Sequence, residues 1–235
     1  MSRRPARRVP RTWSSIALFV AVVGVAATAT FVSQPSSPPP STAAGAADDS
    51  TLDVEGVRAM LASVPDHSRT AVPSYDRVKA FGQAWQDVDG NGCSTRNDIL
   101  ARDLIAVVTR PDCTVVSGIL DDPYTGRTIA FRYGVDTSAE VQVDHVVPLA
   151  YAWKNGAATW DAGRRLAYAN DPRVLLAVEG AANQAKGAAG PAGWMPPNTA
   201  YSCTYVATFV GILHDYQLTI DPTDRAAITD TLTAC

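Results

Sequence analysis

The sequence is poor in charged residues, in histidine and in paired cysteine motifs. Only 18% of the 235 residues are Asp, Glu, Lys or Arg, and the chain holds three histidines and four cysteines. Cys93, Cys113, Cys203 and Cys235 form no CxxC pair, so the common signature of a zinc site is absent. Four cysteines favour disulfides formed in an oxidising compartment. Their order along the chain suggests the pairs Cys93 with Cys113 and Cys203 with Cys235.

Acidic residues are missing from the first 47 positions. Residues 1–11 carry five arginines, and residues 14–32 follow without a charged side chain. This order is typical of an export signal. The apolar run is also just long enough to cross a bilayer. Segment 1–32 is therefore either a signal peptide, cleaved near Ala27-Thr28-Ala29, or a retained N-terminal membrane anchor.

The next segment, 33–50, is rich in Pro, Ser, Ala and Gly and is expected to be a disordered linker. The folded part is then a single domain, 51–235. Either fate of the leader places this domain outside the cell, as a secreted protein or on the outer face of the plasma membrane. No cysteine lies near the leader, so the sequence gives no sign of a lipid anchor there.

The exported part also lacks an excess of basic residues. From Asp48 onward the chain carries 15 basic and 23 acidic residues, a formal net charge of −8. Such a charge argues against tight nucleic-acid binding through many Lys or Arg contacts to phosphate.

The most informative stretch is Val141-Gln142-Val143-Asp144-His145-Val146-Val147-Pro148-Leu149. Its alternating apolar pattern predicts a strand that ends near Pro148 and carries Asp144 and His145 to a turn. Aspartate is a hard oxygen ligand for divalent cations, and a neutral imidazole can take a proton from water. The pair indicates metal-assisted hydrolysis. The alternative is a histidine that merely belongs to the core.

A second apolar run, Leu175-Leu176-Ala177-Val178, leads through a turn into an alanine-rich segment that predicts a helix. Asn183 and Lys186 are three residues apart and share one face of that helix. An amide oxygen and an ammonium at these positions suit a metal ion and a phosphate.

Four motifs then follow one another in order. They are Asp144-His145-Val146-Val147-Pro148-Leu149, Ala169-Asn170-Asp171-Pro172, Asn183-Gln184-Ala185-Lys186-Gly187 and Trp194-Met195-Pro196-Pro197-Asn198. The set resembles the HNH endonucleases, most closely their secreted actinobacterial-type members, from about residue 75 to residue 235. The resemblance implies an α+β fold in which a ββα-metal (His-Me finger) core, at about 140–190, is embedded in a mainly helical domain with a short β-hairpin.

The resemblance also implies roles for several site residues. His145 would be the general base, and Asp144 and Asn183 would bind one divalent cation, Mg²⁺ or else Mn²⁺. Lys186 remains the candidate phosphate contact that its ammonium group suggests. Val174 stands where such sequences commonly have an asparagine, so Asn170 either supports the site in its place or only ends a helix. The implied activity is hydrolysis of DNA with little sequence specificity. The alternative is a catalytically silent surface-associated binding domain that keeps the fold.

A further candidate metal site is the loop with Asp87, Asp89 and Asn91, which places oxygen ligands at alternate positions as in the first half of an EF-hand. A twelve-residue loop would close at Asp98, where glutamate is expected. The loop is therefore interpreted either as a Ca²⁺ site or as a capped turn before a helix.

The other patterns predict ordinary elements. Helices are expected at 54–63, 75–85, 97–105, 160–169 and 200–216 and after Asp221, and a hairpin at 113–120 and 128–133. Arg164 and Arg165, the basic residues nearest the site in sequence, are either phosphate contacts or part of a solvated helix face. We expect the three tryptophans Trp153, Trp160 and Trp194 to pack in the core and not to stack on nucleic-acid bases.

Overall fold

The part of the chain that the structure describes contains both helices and strands. The computed structural model describes residues 52–68, 71–135 and 137–235, so the predicted leader 1–32 and linker 33–50 lie outside the described residues. Within those three stretches no helix is long and apolar enough to cross a membrane.

The described stretches contain eight α-helices and five strands. The helices are α1 Val54–Ser63, α2 Arg77–Phe81, α3 Thr95–Asp103, α4 Leu149–Lys154, α5 Ala162–Asn170, α6 Gly180–Lys186, α7 Ser202–Asp215 and α8 Pro222–Thr233. The strands are β1 Ile105–Thr109, β2 Val115–Asp121, β3 Thr128–Arg132, β4 Val141–His145 and β5 Leu175–Glu179. Short 3₁₀ turns occupy Ala157–Thr159, Pro172–Val174 and Thr199–Tyr201.

The strands form two separate antiparallel sheets. The first has the order β1-β2-β3, and its β2-β3 pair is the predicted hairpin, which is confirmed. Strand β1 was not predicted. It pairs with β2 through an irregular register, and Ala106 within it has a φ of +50°.

The second sheet consists of β4 and β5 alone. Val141 lies opposite Glu179 and His145 lies opposite Leu175, so the whole of β4 is paired. Helix α6 begins directly after β5. The first motif lies at the end of β4 and the third at the end of α6, whereas the second ends α5 and the fourth follows α6.

Glycine at position 180 allows α6 to start close to the loop before β4. A Cβ atom built there would lie 1.9 Å from the carbonyl oxygen of Ala139, which no side chain can tolerate without a shift. At the other end, Gly187 has a φ of +52° and ends the helix. These two glycines fix the position and the length of α6.

Helix α7 forms the centre of the core. Its residues Tyr205, Val206, Phe209, Val210 and Leu213 are completely buried, as the broad apolar stripe predicts. The three tryptophans expected in the core are partly buried and pack against it.

The predicted helix at 75–85 is wrong in its extent. Helix α2 ends at Phe81 because Gly82 takes a φ of +79°, and Trp85 lies beyond it with a φ of +61°. A non-glycine residue in this left-handed region is backbone strain. Trp85 therefore does not continue a helical stripe with Phe81.

Both predicted disulfides are confirmed. Cys93 bonds to Cys113, and Cys203 bonds to Cys235. The second bridge ties the start of α7 to the residue that follows α8 by two positions. The loop that this bridge closes contains most of α7 and the whole of α8.

Candidate active site

The end of β4 carries the two residues that the sequence singled out. Asp144 and His145 are only 6% and 7% exposed, and both contribute to the wall of one cavity. Pairing with β5 fixes their backbone, because His145 lies opposite Leu175 and the amide of Val146 donates to the carbonyl of Val174 at 2.9 Å.

Asp144 is held from two sides. The hydroxyl of Tyr124 donates to its Oδ2 at 2.6 Å. The ammonium of Lys186 lies 3.0 Å from Oδ1 and 2.8 Å from Oδ2. Lys186 also donates to the main-chain oxygen of His145 at 2.8 Å, so one side chain ties α6 to the end of β4.

The position of Lys186 differs from that expected of a phosphate contact, the role predicted for it from the sequence. Its side chain has no exposed surface, and its ammonium is satisfied by Asp144 and the His145 carbonyl. A charge so far from solvent is retained only with a partner of opposite sign. Lys186 is therefore bound to the carboxylate and does not line the cavity.

Burial shapes the ionisation of this cluster. Burial raises the pKa of Asp144, against the opposing effects of Lys186 and Tyr124. Burial likewise lowers the pKa of Lys186, while Asp144 acts to raise it. Burial and the nearby Asp144 charge raise the pKa of Tyr124 well above its usual value, so its hydroxyl keeps the proton that it donates.

His145 is fixed through one ring nitrogen. Its Nε2 lies 2.9 Å from the carbonyl oxygen of Ala169. A carbonyl only accepts, so Nε2 carries the proton and, in the neutral ring, Nδ1 carries the lone pair. Ala169 is the penultimate residue of α5, where helix carbonyls have no helical partner, and its oxygen is thus available to the histidine.

The ring of His145 also stacks on Trp85. Their centroids are 5.9 Å apart and the planes differ by 16°. Burial lowers the pKa of His145 to about 3, and the charges of Arg77 and Lys186 act in the same direction. The imidazole is therefore neutral at neutral pH and can accept a proton.

Asn183 and Asn170 occupy different environments. The Nδ2 of Asn183 donates to Oε1 of Gln142 at 2.9 Å, and both residues line the cavity with Asp144. Asn170 is 1% exposed and its Nδ2 donates to Leu166 at 3.0 Å, whereas its Oδ1 is buried without a partner. The contact to His145 comes from the main chain of the preceding residue and not from the Asn170 side chain.

The cavity has a volume of about 610 Å³. Besides Asp144 and His145, its wall contains Gln142, Asn183 and Gln184, and two cations, Arg77 and Arg96. Gln142 precedes Asp144 by two residues on the same strand face, so the alternating pattern of β4 could have identified it. Arg77, Arg96 and Trp85 come from earlier, separate segments and have no such sequence signal.

Arg164 and Arg165 lie elsewhere. Arg164 packs over Trp160 and donates to Tyr216 at 2.7 Å. Arg165 donates to the carbonyl oxygens of Ala80 and Trp160. Neither lines the cavity of His145, so proximity in sequence was a poor guide to the basic residues of the site.

The loop at Asp87 forms a hydrogen-bonded turn. Asp87 accepts from the amides of Gly90 and Gly92 at 2.8 and 2.9 Å, and Asn91 donates to Asp98 at 3.2 Å. Across residues 52–68, 71–135 and 137–235, no cluster of three or more His, Cys, Asp or Glu residues is placed to hold a metal. Calcium at Asp87, Asp89 and Asn91 stays a prediction.

Residues 94–228 match the family described as GmrSD restriction endonucleases, C-terminal domain. The chain belongs to this family. The match covers more than half of the sequence and includes Asp144, His145, Asn170, Asn183 and Lys186, so the candidate site lies within the family domain. The family description supports a function of the nuclease type.

A relative from Arthroderma benhamiae is described as an uncharacterized secreted protein. It is 38% identical over 154 residues, which cover 64% of this chain and 72% of the relative. The two disulfides of the chain described here, Cys93–Cys113 and Cys203–Cys235, fit an extracellular location. No solved structure matches the chain.

Proposed function

We propose that this chain is an exported, metal-dependent HNH-type endonuclease that hydrolyses DNA phosphodiester bonds with little sequence specificity. The observation that carries the proposal is the histidine held at the end of β4. Its Nε2 donates to a main-chain carbonyl, which leaves the lone pair on Nδ1, and His145 lines a cavity together with Asp144 and Asn183. The order β4, β5, α6 supports a ββα-metal core.

His145 acts as the general base. Its neutral ring takes a proton from a water molecule in the cavity as the water oxygen bonds to phosphorus. The bond from phosphorus to the 3′ oxygen breaks in the same step, and the leaving oxygen takes a proton from solvent. The imidazolium that forms strengthens the Nε2 hydrogen bond to Ala169, because charge-assisted hydrogen bonds are stronger than neutral ones. The approaching phosphate is anionic and raises the pKa of the ring from its low value in the free protein.

The oxygen atoms at the site fit a Mg²⁺ ion. Asp144 accepts hydrogen bonds from Tyr124 at Oδ2 and from Lys186 at Oδ1, and a carboxylate can accept more than two. The Oδ1 atom of Asn183 has no hydrogen-bond partner among the described residues, since only its Nδ2 is engaged. Asp144 and Asn183 would hold the ion, which needs only one or two protein ligands beside water and substrate. When bound, it would polarise a phosphate oxygen.

Lys186 and Tyr124 act as positioning residues in this scheme. They hold the carboxylate of Asp144 at the cavity wall, and Lys186 also binds the main chain of His145. The same contacts favour a second candidate, a catalytically silent binding domain at the cell surface. In that case the ammonium of Lys186 would itself replace the cation at Asp144.

Cleavage of supercoiled plasmid by the purified protein distinguishes these functions. The endonuclease should nick the plasmid with Mg²⁺ or Mn²⁺ and not with EDTA. His145→Ala should lower the rate by about 10² to 10⁴-fold, the usual contribution of a general base, while the protein stays folded. Asp87→Ala, the control in the other candidate metal loop, should cleave as the wild type does. A wild type that leaves the plasmid intact at every metal concentration supports the silent domain.

A further inference from the structure

Arg77 and Arg96, called here the arginine pair, stand out among the cations of the chain. Both line the cavity of His145. Among the described residues no carboxylate lies within 4.0 Å of either guanidinium, although eight other Lys and Arg side chains of that part form such ion pairs. The arginine pair therefore presents uncompensated positive charge to the cavity.

Local structure does not account for either position. Arg77 begins α2, and Arg96 is the second residue of α3. A cation in the first turn of a helix faces the positive end of the helix dipole and is disfavoured. The helices would therefore be better served by neutral or acidic residues at these positions.

Arg96 lines the cavity and has few polar partners. One of its amino groups donates to Val141 at 3.4 Å, and the guanidinium lies 6.0 Å from the centre of the Phe131 ring. A guanidinium has five N–H donors, so most of them remain available to a ligand. Burial lowers the pKa of Arg96, yet the group is still a cation at neutral pH.

Arg77 is exposed, and its charge reaches the general base. It is one of the two cations that depress the pKa of His145, which places its positive charge near the imidazole. None of its side-chain donors has a partner among the described residues. Among the described residues that line the cavity, Asp144 is the only acidic one, and Lys186 already neutralises it.

We infer that the arginine pair binds backbone phosphates of the substrate in the cavity beside His145. This inference rests on the proposed function and assigns its phosphate contacts to two residues. Guanidinium groups are suited to the task because their planar forks bind phosphate oxygens through two hydrogen bonds. Two contacts in one cavity give local attraction to an anion on a protein that is acidic overall.

The test measures binding apart from cleavage. His145→Ala protein in EDTA is titrated into a fluorescein-labelled single strand or duplex, and anisotropy is followed at several NaCl concentrations. Adding Arg77→Gln or Arg96→Gln should weaken binding and lower the slope of log K against log salt by about 0.7 for the single strand and about 0.9 for the duplex. The two changes together should roughly double the loss of slope.

Matched controls exist on the three-stranded sheet. Arg132 and Arg110 are exposed and also lack a carboxylate within 4.0 Å in the described part, but neither lines the cavity. Arg132→Gln and Arg110→Gln should leave affinity and slope unchanged. If Arg96→Gln lowers the melting temperature, Arg96→Met replaces it in the test, because it places an uncharged apolar side chain beside Phe131. Arg77 is exposed, so Arg77→Gln should fold in any case.

The outcomes separate the two proposals. If the wild type cleaves DNA but binding is the same in the arginine and control variants, the arginine pair is overturned and the nuclease stands. If the wild type cleaves no nucleic acid while binding depends on both arginines, the nuclease is overturned and the phosphate-binding pair stands.

Discussion

The side chains of Asp144 and Lys186 depend on each other, and this dependence affects how any variant of the site must be interpreted. Removing one member of a buried ion pair leaves a charge without a partner and costs about 3–5 kcal/mol, whereas replacing both members is often close to neutral. An inactive Asp144 variant could thus be inactive because it is unfolded.

A double-mutant cycle separates stability from chemistry at this pair. We expect Asp144→Asn and Lys186→Met each to lower the free energy of unfolding by several kcal/mol, about the cost of an unpaired buried charge. The double variant should recover much of that stability and none of the cleavage activity, because the carboxylate is still missing. Urea denaturation and plasmid nicking of all four proteins check this. A stable, active double variant would exclude Asp144 as a metal ligand.

Trp85 offers a second test at the scale of single residues. Its ring stacks on the neutral imidazole of His145, and its φ of +61° is strained. We expect Trp85→Ala to lower cleavage by freeing the histidine ring, and Trp85→Phe to restore part of the rate because an aromatic face remains. The measurement is of kcat and KM separately, for the wild type and both variants. Loss of positioning lowers kcat, whereas lost contact with substrate raises KM.

At the scale of elements, the placement of α6 against β4 is the feature most exposed to a small change. A Cβ at position 180 would collide with the Ala139 carbonyl at 1.9 Å, whereas one at Gly211, in the middle of α7, meets no atom within 4 Å. The two glycines are therefore a matched pair with opposite expected effects.

We expect Gly180→Ala to lower both the melting temperature and the cleavage rate, since the start of α6 must move relative to the end of β4. Gly211→Ala should raise stability by about 0.5–1 kcal/mol, the helical preference of alanine over glycine, and leave cleavage unchanged. Thermal melting and plasmid nicking on both variants provide the check. Equal melting temperatures for Gly180→Ala and the wild type would contradict the tight approach.

Periodic elements could be predicted from the sequence, and irregular ones could not. Helix α1 was predicted at its observed bounds, and the hairpin and β4 followed from their alternation. Strand β1 escaped prediction because its residues are mostly exposed and its register is broken. The end of α2 depends on the positive φ of Gly82, which the apolar spacing of Phe81 and Trp85 concealed.

The same division holds for the site. Asp144, His145, Asn183 and Lys186 could be proposed from the sequence because they lie in short contiguous motifs. Tyr124 and the arginine pair reach the site through tertiary packing, and the acceptor for His145 is a main-chain oxygen that no residue type indicates. The buried contact of Lys186 could not be foreseen, since spacing on a helix says which residues share a face but not what covers that face.

At the scale of the whole molecule, two disulfides tie together segments that are separated along the described chain. The Cys203–Cys235 bridge closes a loop of 32 residues around α7 and α8. Chain-entropy estimates put the stabilisation from a loop of this size at about 3–4 kcal/mol. The loop that this bridge closes contains none of the residues of the proposed chemistry.

We expect the double variant Cys203→Ser, Cys235→Ser to lose about 3–4 kcal/mol of unfolding free energy, in line with that loop-closure estimate. Below its melting temperature it should still cleave plasmid, because no site residue is altered. Denaturation with and without dithiothreitol checks the stability, and wild type in dithiothreitol should become less stable as well. A variant that is fully stable yet inactive would tie the bridge to the site.

The partner of His145 is a carbonyl that every amino acid possesses, and this has a consequence for how the protein tolerates change over evolutionary time. No substitution at position 169 can delete the acceptor. The orientation of the His145 ring therefore depends on the path of the α5 backbone and not on which amino acid stands at position 169. In a deep mutational scan, position 169 should accept any side chain that its buried space accommodates. Insertions and deletions within α5, which rotate the carbonyl away, should abolish activity.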